Sequence, residues 1–298
     1  MKAKAKLGSY ALFNTDAFDW LKKRRAKSIH AIVTDPPFGI IEYTAEQLRK
    51  RKNGNGGIWR LPHNYDGHER SPTPRFTVLT QTDLKRVEEF HEQLAILLLK
   101  VLVPGGHVII SSQTILSYIV ASSFYGAGFE MRGQIARVVK TLRGGDRPKG
   151  AHLEYADVSV VPRSCWEPWL IFRKPCEGRV KDNLENWKTG GLRRPERNIP
   201  FQDLINSRPA RGLEKSLAPH PSLKPQAFLR QVVRAALPLG EGVILDPFMG
   251  SGSTIAAATS LGFKSIGLEK NKTYYSMAIK AIPSLSRLSL NSNGSGNL

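Results

Sequence analysis

Apolar residues along this chain gather in short β-rich runs that alternate with stretches of helical spacing. Residues 8–14 read as a first strand. Residues 16–25 read as a helix whose basic end suits the negative pole of its dipole. Ile29 to Thr34 is an apolar run closed by Asp35-Pro36-Pro37, the pattern of a buried parallel strand that stops at prolines. Residues 83–102 predict a helix, Pro104-Gly105-Gly106 a turn, and His107 to Ser111 the next strand. A helix over 115–125 and strands near 134–140 and 168–173 follow. Pro225 then opens a helix that ends near Leu237, as proline in a first turn should. Strand 242–246, helix 252–262, strand 264–269 and helix 272–281 complete the pattern.

This alternation predicts a doubly wound α/β sheet of mostly parallel strands, with ligands held outside their carboxyl ends. Two stretches break it. Residues 39–80 carry Asn53-Gly54-Asn55-Gly56-Gly57, several prolines and a basic run. A loop of that length is functional or mobile. Residues 176–219 are rich in Arg, Pro, Asn and Gly with weak periodicity, so an irregular insertion is expected there. The Ser/Asn/Gly-rich end from Ser284 is expected to fray. The resulting division is 1–177, an insertion at 178–218, 219–283, and a flexible tail at 284–298.

Charge adds the first functional clue. The 298 residues hold 44 Lys+Arg against 25 Asp+Glu, a net +19. Such a field attracts polyanions: DNA, RNA or an anionic membrane surface. The basic residues form separate clusters at Lys22 to Arg25, Arg49 to Lys52, Arg143 to Lys149 and Arg193-Arg194. That spread suits a folded surface tracking a phosphate backbone. Hydrophobic residues at 41% exclude a wholly disordered chain. The longest apolar stretch, Leu94 to Val103, carries Lys100 and falls far short of the roughly 20 residues of a membrane span. The basic start, Met1 to Lys6, lacks the apolar segment of a signal peptide. Cys165 and Cys176 fit neither a disulfide framework nor a metal knuckle, which points to a reducing cytoplasm. The histidines, His63 and His68 included, make no convincing ligand set, so no metal is expected.

Two strand ends carry unusual chemistry. After Thr34, two prolines stiffen the turn and remove two N–H donors, leaving the Asp35 carboxylate and the Pro36 carbonyl as rigid acceptors. A group with two N–H donors, such as the exocyclic amine of a base, fits that array, and Phe38 offers a face for stacking. The plainer alternative is a proline turn with Asp35 as a cap. In the second segment, Val243 to Asp246 reads as a buried strand, and Gly250, Ser251 and Gly252 let the backbone approach a ligand before a helix begins. Glu269 ends the next strand, where an acid commonly bonds ribose hydroxyls. Together these read as a nucleoside-type cofactor site. A dinucleotide fingerprint would need a small residue where Ile255 stands, and no Walker lysine follows the glycines. Here the plainer alternative is an ordinary strand–helix turn with Ser253 or Thr254 near the cap.

At these residues the chain resembles the DNA amino-methyltransferases. Asp35-Pro36-Pro37-Phe38 is similar to their catalytic motif. Asp246-Pro247-Phe248-Met249-Gly250-Ser251-Gly252-Ser253-Thr254 is similar to their S-adenosylmethionine motif. His220-Pro221-Ser222-Leu223-Lys224-Pro225 resembles the segment before it, and catalytic motif first is the circularly permuted order of the beta group. The resemblance implies a Rossmann-like, mostly parallel seven-stranded sheet with one reversed strand, flanked by helices. It implies methyl transfer from S-adenosylmethionine to the N6 amine of a flipped adenine in double-stranded DNA. Asp35 and Pro36 would accept the amine hydrogens, on a turn stiffened by Pro37, and Phe38 would stack on the base. Gly250 and Gly252 would make room for the methionine part of the cofactor, Glu269 would hold the ribose, and Lys224 and Phe248 would line the pocket. Asp16 and Ala17 match the adenine-contacting segment. Asp35, Asp246, Pro247, Ser251, Ser253, Thr254 and Lys270 complete the implied cofactor-binding set.

For DNA, the basic residues Arg49, Lys50, Arg51, Lys52 and Arg143 are implied grips. In the 178–218 segment, Arg193, Arg194, Arg197, Arg208 and Arg211 are available for target recognition. Cytosine-N4 methylation is the nearest alternative, although that branch usually carries Ser where Asp35 stands. RNA as substrate and a DNA-binding protein without catalysis are further alternatives. The resemblance leaves room for a homodimer and a restriction partner, and implies a bacterial or phage-like protein of the cytoplasm, associated with the nucleoid.

Overall fold

The computed structural model describes residues 9–37, 79–139 and 165–290, with Ala5–Leu7, Asn64–Tyr65, His68–Ser71, Leu142–Arg143 and residues 148, 150–151, 153–160 and 162. The strands in chain order are β1 (Ala5–Leu7), β2 (Tyr10–Asn14), β3 (Ile29–Thr34), β4 (Asn64–Tyr65), β5 (His68–Ser71), β6 (Leu102–Ser111), β7 (Glu130–Val138), β8 (Leu142–Arg143), β9 (Trp166–Arg173), β10 (Leu204–Asn206), β11 (Val243–Asp246) and β12 (Lys264–Glu269). The helices are α1 (Ala17–Lys23), α2 (Gln81–Val101), α3 (Ser117–Gly126), α4 (Val180–Trp187), α5 (Gly212–Leu217), α6 (Gln226–Ala236), α7 (Ser253–Ser260) and α8 (Lys272–Ser286).

One nine-stranded sheet runs β1-β2-β12-β11-β3-β6-β9-β7-β10. β2, β12, β11, β3 and β6 are mutually parallel, and β9 is reversed between β6 and β7. Removing the edge strands β1 and β10 from the nine leaves the expected seven, with one reversed. The sheet is buried on both faces because its strands alternate between two cores. Ile32 faces Trp20, Leu21, Leu98 and Phe124 from α1, α2 and α3. Its neighbours Ala31 and Val33 face Phe228, Val232 and Ala257 from α6 and α7. The α8 face packs on Tyr10 and Leu12 of β2.

Three sequence expectations change. Pro104-Gly105-Gly106 does not precede a strand but bulges within one: Ile29 pairs Leu102, and Ala31 pairs His107. The bulge is pinned by buried Asn183 of α4, whose Nδ2 donates to the Pro104 carbonyl at 3.0 Å and the Thr189 carbonyl at 2.9 Å. The 178–218 segment is accordingly woven into the sheet, through Asn183 and through β10, which pairs with β7. The final helix runs to Ser286, past the expected start of the tail, and tolerates Pro283 inside it. Among the described residues no helix is long and apolar enough to cross a membrane.

Candidate active site

Parallel strands deliver their last residues to one edge of the sheet, and here that edge carries a row of polar groups. Thr34 closes β3 and Asp246 closes the adjacent β11, and Thr34 Oγ1 donates to Asp246 Oδ1 at 2.8 Å. The two segments singled out in the sequence, 212 residues apart at this bond, therefore meet. Asp246 is buried, takes the Thr254 hydroxyl, and accepts the Phe248 N–H at 3.1 Å. Burial pushes its carboxyl up to about 7, with the Asp35 charge adding to burial and the hydrogen bonds opposing it.

Asp35 is half-buried beside this pair, on a turn whose Pro36 is buried and whose Pro37 is exposed. Its Oδ2 accepts from Lys224 Nζ, delivered by the segment that leads into α6. The same ammonium lies 3.4 Å from Glu167 Oε1, and Glu167 Oε2 in turn accepts from Arg137 Nη1 at 2.8 Å. Burial penalises the Lys224 charge, but Asp35 and Glu167 outweigh it and raise its pKa. Glu167 and Arg137 carried no motif in the sequence. Their signal is a lone charge inside the apolar strand Trp166 to Phe172, facing a second on the neighbouring strand, since Arg137 and Glu167 are register partners.

The glycine turn follows β11. Gly250 has φ +53°, and a Cβ there would lie 3.1 Å from the His220 ring, so this histidine closes over the turn. His220 stands edge-on to Tyr274, with centroids 4.3 Å apart, and burial lowers its pKa to about 4. Gly252 has φ +86°, and its Cβ would lie 2.6 Å from Ile282 Cγ1. Its missing side chain thus also leaves room for α8 to pack against the turn. Ser251, Ser253 and Thr254 are buried, and the first N–H groups of α7 face the edge.

Glu269 ends β12 with Oε2 on the Gly250 N–H at 3.0 Å and Oε1 on the Asn271 N–H at 2.7 Å. The Lys270 N–H also bonds this carboxylate. A carboxylate has about four acceptor positions, so this one retains capacity for a further hydroxyl beside the turn. Asp16 caps α1, accepting the Phe18 N–H at 2.9 Å, and its Oδ2 takes Lys270 Nζ at 3.1 Å, which ties the ends of β2 and β12 together. Phe248 ends a row of ring contacts that sequence reading missed: Phe90 lies tilted against it at 5.9 Å and edge-on to Phe18 at 5.3 Å. Ala17 is buried against this row, and Pro247 is buried as well. Glycines at positive φ, a ribose-ready carboxylate and an aromatic row fit a nucleoside-type cofactor.

The basic residues divide. Arg208 is exposed on the same edge, where its carbonyl accepts from Arg137 Nη2 at 3.3 Å, and Arg211, three residues on, is exposed at the start of α5. Arg193 and Arg194 are not brought there. The Arg193 N–H bonds the Ala235 carbonyl at 2.9 Å, and Arg234 holds the Arg194 carbonyl at 2.7 Å, both at the far end of α6 from Lys224. Arg197 lies beside the Glu196–Ile199 bridge in the same connection and bonds nothing at the edge among the described residues. Arg143 pairs through its backbone with Ser71, and Phe38, Arg49, Lys50, Arg51 and Lys52 lie outside the described residues.

The raised Asp246 value has a consequence for stability. Its folded pKa of about 7 exceeds the 3.8 of an ordinary aspartate, so between those values the folded chain keeps a proton that the unfolded chain has released. Its stabilising contribution is full below the lower value and is lost as pH rises through the upper one, at up to about 1.4 kcal/mol per pH unit. Urea unfolding from pH 4.5 to 8 is expected to show wild type losing stability relative to Asp246→Asn. Parallel curves would remove the claim.

Comparison with known proteins is consistent with this geometry. A DNA methylase family model for N6 and N4 enzymes matches residues 29–280. The Type II methyltransferase M.HindIII of Haemophilus influenzae is 24% identical over 295 residues, covering 91% of this chain and 94% of that protein. The structure of the M1.HpyAVI–SAM complex superposes with a TM-score of 0.55 at 21% identity, covering 92% of this chain and 98% of that one. The cytosine-N4-specific PvuII DNA methyltransferase gives 0.59 at 13% identity, over 95% and 88% of the two chains.

Proposed function

This chain belongs to the N6/N4 DNA methylase family, and from that premise we propose that it methylates the N6 amine of adenine in double-stranded DNA. Its cofactor is S-adenosylmethionine, which when bound supplies the sulfonium methyl group. The observation that carries the reading is the meeting of Asp35 with the Asp246 turn through Thr34.

The residues then divide the work. Asp35 and the Pro36 carbonyl accept the two amine hydrogens. An aromatic amine is a poor nucleophile because its lone pair is delocalised into the ring. Hydrogen bonds from both N–H groups favour a pyramidal nitrogen with that pair localised. Positioning then supplies much of the rate. Glu269 would hold the ribose of the cofactor, and Phe18, Phe90 and Phe248 would offer apolar faces to its base. Asp at position 35, where N4 enzymes usually carry Ser, supports adenine over cytosine; the shared fold with a cytosine-N4 enzyme does not choose. The likeness to a Type II methyltransferase supports a restriction–modification role. Digestion of methylated plasmid to nucleosides tests the base: N6-methyldeoxyadenosine is expected, and N4-methyldeoxycytidine alone overturns the assignment.

The 178–218 segment supports target recognition through its edge arginines. Each phosphate contact contributes about 0.9 to the slope of log affinity against log salt. Arg208→Ala with Arg211→Ala is therefore expected to flatten that slope by about 2, whereas Arg194→Ala leaves it unchanged. Titrations of duplex DNA at several salt concentrations check this, and equal slopes for all variants would exclude the edge arginines.

A further inference from the structure

Asp35 and Lys224 are one half of a larger arrangement whose other half the mechanism leaves unused. Glu167 Oε1 accepts from Ser111 Oγ at 2.9 Å and from Trp169 Nε1 at 3.0 Å, besides lying 3.4 Å from Lys224 Nζ. Its Oε2 is taken by Arg137, which is itself anchored to Ser207 Oγ at 3.0 Å and to the Arg208 carbonyl. Glu167 is thus held from four sides and cannot swing. Charges alternate along Arg137, Glu167, Lys224 and Asp35 and sum to zero, with side-chain exposures of 4%, 13%, 13% and 20%. Burying ions costs several kcal/mol each unless they are well paired, so a fixed carboxylate at this depth marks a geometric requirement.

The requirement lies at Asp35. Lys224 takes its Oδ2, and among the described residues no donor takes Oδ1. An ammonium with a single partner would follow that carboxylate or bridge both of its oxygens. A second, immobile partner holds it to one side. Resting on the amine-methylation reading above, we propose that Glu167 is a positioning residue: through Lys224 it reserves Oδ1 of Asp35 for the target amine. Its link through Arg137 places the same ion chain against Ser207 and Arg208 of the exposed segment.

The test is Glu167→Gln, which keeps the shape and an acceptor oxygen but removes the charge. Single-turnover methyl transfer is expected to fall about 10²-fold, the scale of a small misplacement of a reacting group. DNA KM and S-adenosylmethionine Kd are expected to hold. The alkaline limb of the pH–rate profile is expected to move to lower pH, because Lys224 loses one of the two charges that retain its proton. Glu167→Gln with Arg137→Gln restores charge balance and is expected to recover thermal stability without recovering rate. It carries the same test should the single variant not fold. A wild-type rate in either variant, or an unmoved alkaline limb, overturns the proposal. The same nucleoside digests report the base. N4-methylcytosine from wild type would overturn only the adenine assignment, while the variant-to-wild-type ratio still decides the role of Glu167.

Discussion

Asp35→Ala is expected to abolish methyl transfer to DNA while the protein still binds S-adenosylmethionine. Loss of one preorganised hydrogen-bonding group at a reacting centre costs about 10²–10³ in rate. In the proposed reaction the carboxylate would accept an amine hydrogen and also oppose the charge that develops on nitrogen. The expected loss is therefore at the upper end of that range or beyond. The cofactor side is spared because Glu269 and Asp246 hold their positions through bonds that do not involve Asp35: Glu269 to the Gly250 and Asn271 N–H groups, Asp246 to Thr34 and the Phe248 N–H. Lys224 retains Glu167 as partner. Tritium transfer to DNA and calorimetric titration with the cofactor measure the two halves separately. Wild-type turnover by the variant would place the chemistry elsewhere, and loss of cofactor binding together with turnover would make Asp35 a cofactor ligand first.

The residues that announce this site in the sequence are those where backbone geometry and chemistry coincide. Ile29 to Thr34 and Val243 to Asp246 read as buried strands because both faces need apolar side chains, and Pro36 and Gly250 punctuate their ends. Those expectations hold to within a residue or so. What the sequence concealed is what tertiary contact alone creates. α4 carries Val180, Leu184 and Trp187 at helical spacing, yet the residue it buries is the polar Asn183, so apolar patterning does not mark the amide that pins the β6 bulge. β10 buries only Ile205 and gains its strand character from pairing with β7. Arg137 and Glu167 stand 30 residues apart and meet as register partners, a relation that needs the strand order to be known. His220 reads as an ordinary histidine until Gly250 is seen to leave room for its ring.

Gly252→Ala is expected to destabilise the protein by about 2–5 kcal/mol, from two separable costs. The residue caps α7 at φ +86°, in the left-handed region where a side chain costs roughly 1–2 kcal/mol. Its new Cβ would also stand 2.6 Å from Ile282 Cγ1 and 3.3 Å from the Ala278 Cβ, inside the fully buried α8 interface. Overpacking of that kind costs about 1–3 kcal/mol. Because Ile282 is the closer obstacle, Ile282→Ala should relieve the second cost and leave the first. Ile282→Ala alone opens a cavity worth about 2–5 kcal/mol. The double variant is therefore expected to be more stable than the sum of the two single losses predicts, with a coupling of about 1–3 kcal/mol. Urea midpoints for the four proteins close the cycle. Strict additivity would mean that α8 shifts aside freely, and that the glycine serves the turn through its backbone conformation alone.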